Sequence, residues 1–110
     1  MVTISPQRFR IVQGMTRPTI VATLNRVGGV IDLSDKTVRL WMGDEYTLLV
    51  DGQSMFIMDP DAGKVGYAFT SDEVSRVGRW MMQVEVLSSD GRTERNYRAI
   101  DVVIARGPVS

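Results

Sequence analysis

The sequence predicts an all-β protein, an antiparallel β-sandwich of about seven strands. Three observations lead there. Apolar residues recur with a period of two along most of the chain. Turn signals, Asp-Gly and Gly-Gly pairs among them, recur every eight to fifteen or so residues, as in small sandwiches. Almost nowhere does the apolar period lengthen to that of a packed helix.

The strands follow in order. In "RFRIV", Phe9 and Ile11 share a side. "TIVATLN" sets Ile20, Ala22 and Leu24 against Thr19, Val21 and Thr23. "TVRLWM" sets Val38, Leu40 and Met42 against Thr37, Arg39 and Trp41. "KVGYAFT" alternates Val65, Tyr67 and Phe69 with Lys64, Gly66 and Ala68. "RWMMQVEVL" opposes Trp80, Met82, Val84 and Val86 to Arg79, Met81, Gln83 and Glu85, and "AIDVVIA" aligns Ile100, Val102 and Ile104. Such alternation is the mark of strands with one face packed and one face wet.

Asp90-Gly91 reads as a hairpin turn, and Asp51-Gly52 reads the same way between "YTLLV" and "SMFIM". "TSDEVSRVG" predicts one short helical turn near 71–76, capped by Thr70 or Ser71, with Asp72 and Glu73 in its first turn. Residues 1–6 and 107–110 read as loose ends of a single domain over 1–110, with an ordered core at about 7–105.

Composition narrows the chemistry. The 110 residues include no cysteine and no histidine, and thirteen basic residues balance thirteen acidic ones. Disulfide frameworks, thiolate zinc sites and His-based triads are therefore excluded. No basic excess points to nucleic acid, and no apolar run reads as a signal peptide or membrane span. The adjacent acids Asp72 and Glu73 do not form the separated carboxyl pair of a glycosidase. No glycine-rich stretch has the lysine spacing of a phosphate loop. The expectation is of a non-enzyme without cofactor or metal.

The stretch "DPDAGKVGYAF" tests that expectation, since Asp59, Asp61 and Gly63 resemble the start of a calcium loop. Position 70, where a closing glutamate would stand, is Thr, and Lys64 lies beside the acids. Pro60, Asp61 and Gly63 are better read as a turn.

Certain landmarks recur in order: Phe9, Ile11, Gly14, Thr16 and Pro18, then "ATL" ahead of glycines, "DLSDKTVRLWM", "DAGKVGYAFTSDEV", "GRWMMQVEV" and "DGR". This set resembles the small immunoglobulin-like domain of tailed-phage structural proteins, including the N-terminal domain of the baseplate upper protein. The resemblance runs from about Phe9 to Ile104. It implies an immunoglobulin-like sandwich with an architectural role in the virion tail, baseplate or neck, and no catalysis. It also implies a protein assembled in the host cytoplasm, with other virion proteins and copies of itself as partners and no nucleic acid, membrane or small-molecule substrate. A chain ending at Ser110 suits a stand-alone tail or head-completion component better than the longer baseplate protein. Where this family usually has tyrosine, the chain has Trp80, two residues after Gly78.

The candidate partner-binding residues are Trp41, Met81, Arg39, Arg79 and Val103. With Val38, Leu40 and Met42 inward, Trp41 faces outward, and a one-residue slip reverses that. In a sandwich of this kind the strands carrying Trp41, Met81 and Val103 lie side by side, so the five residues share one outer face. Aromatic, Met and Arg residues are enriched at interface cores. Single exposed apolar residues are also ordinary, and the following loop is able to cover Trp41. An alternative use of exposed aromatics, with Trp41, Tyr46 and Tyr97 stacking on sugars, gives a carbohydrate- or host-surface-binding module.

Overall fold

The computed structural model describes residues 2–13, 18–26, 29–95 and 100–106. Eleven strand segments run through them, and among the described residues there is no helix. In chain order they are β1 (Val2–Ser5), β2 (Arg8–Val12), β3 (Thr19–Arg26), β4 (Gly29–Val30), β5 (Thr37–Gly43) and β6 (Leu48–Ser54). Then come β7 (Phe56–Asp59), β8 (Lys64–Ala68), β9 (Gly78–Leu87), β10 (Thr93–Arg95) and β11 (Ile100–Ala105).

Two sheets form a sandwich. The five-stranded sheet has the order β1-β3-β8-β7, with β4 against β3. The six-stranded sheet has the order β2-β11-β9-β5-β6, with β10 against β9. All pairings are antiparallel except β2 with β11, which is parallel. Inward residues of both sheets make the core. Ile4, Leu24 and Val65 from one meet Leu40, Met82 and Ile104 from the other, all essentially sealed from solvent.

The strand count exceeds the expected seven because the short segments β1, β4 and β10, of four, two and three residues, each pair with one longer strand. Residues 2–5, read as a loose end, form β1, with Val2 and Ile4 buried. "VTIS" is too short to announce itself, and only pairing with β3, Val2 opposite Arg26 through Ser5 opposite Thr23, makes it a strand. Pro6 follows a cis peptide bond, and the chain then crosses into the other sheet as β2.

The segment expected to be helical at 71–76 is a turn over 71–74 and stops short of a helix. Thr70 and Glu73 close a reciprocal capping box: the Glu73 N–H donates to Thr70 Oγ1 at 3.2 Å and the Thr70 N–H to Glu73 Oε1 at 2.9 Å. The Ser75 N–H to Asp72 carbonyl bond follows it before β9 begins at Gly78. A lone turn between two paired strands fixes too few residues to propagate a helix.

Asp51-Gly52 is not a hairpin turn. Both residues lie inside β6, where a register shift between Leu40 and Met42 marks a bulge opposite Trp41 and Gly52 has φ +63°. The β5–β6 reversal falls at 44–47 instead, where Asp44 Oδ1 accepts the Tyr46 and Thr47 N–H groups. The Asp90-Gly91 hairpin lies where expected, closed by the Ser88 N–H to Arg92 carbonyl bond. The 60–63 stretch is the turn joining β7 to β8, with Gly63 at φ +63°. Before β5, the Ser34 N–H and hydroxyl both donate to Asp32 Oδ1, which holds that carboxyl below its ordinary pKa.

Tyr67 links this core to the turn. Its ring meets Phe69 edge-on, with centroids 4.8 Å apart, and its hydroxyl donates to the Glu73 carboxylate at 2.8 Å. Burial, then the Glu73 carboxylate, push the Tyr67 pKa well above its ordinary 10. The sign follows from proton linkage. Above pH 10 the unfolded chain releases this proton while the folded chain keeps it, so stability is full below pH 10 and falls as pH rises. Denaturant titrations between neutral pH and strong alkali should show wild type losing stability with rising pH more steeply than Tyr67→Phe in that window. Parallel losses in the two proteins would remove Tyr67 from the account.

Candidate functional site

The outer face of the six-stranded sheet is the candidate site. Register sets its side chains in rows. Trp41 stands opposite Gln83, Gly43 opposite Met81 and Arg39 opposite Glu85, while Asp101 faces Met81 and Val103 faces Arg79 across the next strand pair. All five candidates from the sequence thus lie on this one face.

They differ in exposure. Met81 is 58% exposed, Arg39 and Arg79 are exposed, and Trp41 and Val103 are half-buried. The bulge explains Trp41: its indole covers Gly52, where an added Cβ would stand 3.0 Å from the ring. Glycine at φ +63° both makes the bulge and leaves the ring its seat. Trp41 is therefore propped on its own sheet, with part of the indole open to a recess.

That recess has a volume of about 600 Å³. Trp41, Met81 and Leu48 give it an apolar floor, and Asp44, Glu45, Arg79 and Gln83 stand around it. Sequence reading missed Leu48, which is 54% exposed. The signal was present in "TLLV", where Leu48 and Leu49 are both apolar and so cannot both point inward. A smaller hollow of about 270 Å³ adjoins Trp41 beside Glu85 and Arg95. Those two form an ion pair at 2.7 Å, and Arg8 approaches Asp101 at 3.8 Å. Among the described residues neither Arg39 nor Arg79 forms an ion pair.

Tyr46, at the tip of the 44–47 loop, is 88% exposed and does not line the recess. Tyr97 lies outside the described residues, as do Gly14, Thr16 and Gly28. No group of three or more His, Cys, Asp or Glu suited to a metal ion occurs among the described residues.

The opposite sheet holds an apolar patch that sequence reading also missed. Val21, Gly66 and Phe56 form one cross-strand row on the outer face of the five-stranded sheet. The Phe56 ring occupies the space where a Gly66 side chain would be, with Met58 beside it. Phe56 is 46% and Met58 50% exposed. In "SMFIM" both phases of the alternation are apolar, so periodicity does not say which residues turn outward.

No family model matches the sequence, and no curated protein does. Among solved structures, the chain is similar to CopC from Methylosinus trichosporium OB3b, a β-sandwich, at 14% identity and a TM-score of 0.55, over 98% of this chain and 94% of that one. The periplasmic chaperone SfaE aligns at 13% identity and a TM-score of 0.48, over all of this chain and 59% of its own length. The CopC likeness is one of fold.

Proposed function

We propose that this protein is a non-enzymatic, immunoglobulin-like structural component of a tailed-phage virion, docking to neighbouring virion proteins through the outer face of its six-stranded sheet. The virion setting rests on the ordered landmarks in the sequence. Two features support the immunoglobulin type. The N-terminal strand is divided between sheets, β1 beside β3 and β2 parallel to β11. At the start of β9 the Trp80 indole N–H donates to the Arg76 carbonyl at 3.1 Å. That bond ties the strand to backbone four residues upstream, the task a corner tyrosine performs in such domains.

The observation that carries the docking reading is the recess floored by Trp41, Met81 and Leu48. An apolar floor with a charged rim is the anatomy of a protein interface. The measurement is co-sedimentation with phage particles assembled in cells that also express this protein. Wild type should travel with the particles. Trp41→Ser should keep its circular dichroism and melting curve yet remain in the slow fraction. Equal incorporation of the folded variant would remove this face from assembly.

A carbohydrate- or host-surface-binding role is the second reading, favoured by Gln83, Asp44 and Glu45 beside the Trp41 indole in one recess. On a glycan array it requires saturable binding that Trp41→Ala abolishes, which docking to virion proteins does not.

A further inference from the structure

We infer that Met81 is an oxidation site, and that its conversion to the sulfoxide by a peroxide turns off docking at the recess while the fold stays intact. The inference rests on the reading of the recess as a docking surface and adds a regulation of it.

Register explains why this sulfur is open. Met81 stands opposite Gly43 on one side and Asp101 on the other, and Gly43 in turn stands opposite Leu48. Glycine brings no side chain to that row, and Met81 is 58% exposed. The other methionines of the described residues divide sharply. Met42, Met55 and Met82 are core residues, 1%, 6% and 0% exposed, whereas Met58, on the outer face of the opposite sheet, is 50% exposed. A peroxide dissolved in water therefore reaches Met81 and Met58, and close packing keeps it from the other three.

The chemistry is an oxygen transfer. The thioether sulfur attacks the peroxide and the O–O bond breaks. One oxygen stays on sulfur as the sulfoxide, and the other leaves with both protons as water. Sulfur gives up an electron pair, and the peroxide is reduced by it. The product places a polar group in the apolar floor that Met81 makes with Trp41 and Leu48. A partner surface fitted to that floor must then strip water from the sulfoxide oxygen, which opposes docking. The core methionines are out of reach, so the sandwich keeps its packing, and the sulfoxide remains reducible.

The test exposes purified full-length chain to dilute hydrogen peroxide and maps the added oxygens by peptide mass. It then measures co-sedimentation with phage particles assembled without this protein. Met81 and Met58 should gain oxygen first, with Met42, Met55 and Met82 unmodified and the melting curve unchanged. Treated wild type should bind the particles roughly tenfold or more weakly, the size expected for burying one unpaired polar group. Methionine sulfoxide reductases should restore the binding. Compared with their own untreated samples, Met81→Leu should lose nothing to peroxide and Met58→Leu should lose as much as wild type. Oxidation of Met42 or Met82 at the Met81 rate would overturn the selectivity of the site. Treated wild type that carries the sulfoxide at position 81 and sediments as before would overturn the regulation alone. Untreated wild type that stays in the slow fraction would overturn the docking reading, and the regulation with it.

Discussion

Phe69→Ala should cost about 3–5 kcal/mol of folding stability, the range for removing a large buried aromatic. Phe69 is fully buried, at the head of the largest sealed side chains in the core. Its ring stands at 78° to that of Tyr67, and its N–H donates to the Pro18 carbonyl at 2.9 Å. That backbone bond, just past the end of β8, keeps position 69 from shifting to close the cavity left behind. The void persists and the loss approaches the top of the range. Domains of this size have only about 5–15 kcal/mol in total, so the variant should unfold at much lower denaturant. Phe69→Leu, which keeps most of the volume, should cost about 1–1.5 kcal/mol. A loss below about 1 kcal/mol for the alanine variant would mean that the core closes around the gap.

Trp80 supports the second large effect. Trp80→Ala should cost about 3–5 kcal/mol through lost burial alone. The more informative substitution is Trp80→Phe. It retains an aromatic ring but leaves the Arg76 carbonyl without the indole N–H that now reaches it at 3.1 Å. An orphaned acceptor in partly buried surroundings costs about 1–3 kcal/mol. Trp80→Tyr, which restores a hydroxyl donor, should recover part of that loss. Equal midpoints for the Phe and Tyr variants in urea would show that the corner bond contributes nothing, and would leave the immunoglobulin reading without its second support.

The inward half of this protein was legible because alternation is local. Val38, Leu40 and Met42 on β5, and Trp80, Met82, Val84 and Val86 on β9, are buried as their spacing predicts. Asp90-Gly91 likewise carries its turn in its own backbone preferences. Other features depend on what lies across the sheet. "VTIS" became a strand only by pairing with β3, whose partner residues lie well beyond the reach of any local period. Asp51-Gly52 is hairpin chemistry in isolation, yet its positive φ serves a bulge under an indole from the next strand. The turn at 71–74 has its capping box and no helix, because the flanking strands claim the residues on either side.

The candidate site divides the same way. That Trp41, Met81, Arg39, Arg79 and Val103 point away from the core followed from periodicity. Their shared face depended on β5, β9 and β11 lying side by side in register. Leu48, Phe56 and Met58 were hidden because neighbouring apolar residues left both faces of their strands equally attractive.

By itself, then, the sequence determined the all-β class, the inward set of residues and the absence of thiol and imidazole chemistry. Each of these depends only on a residue's identity and its nearest neighbours. Tertiary structure alone decided which strands pair, where the bulge falls, and that one sheet offers a recess and the other an exposed apolar patch. Those outcomes arise from contacts between segments distant in the chain, whose relative placement no local period encodes.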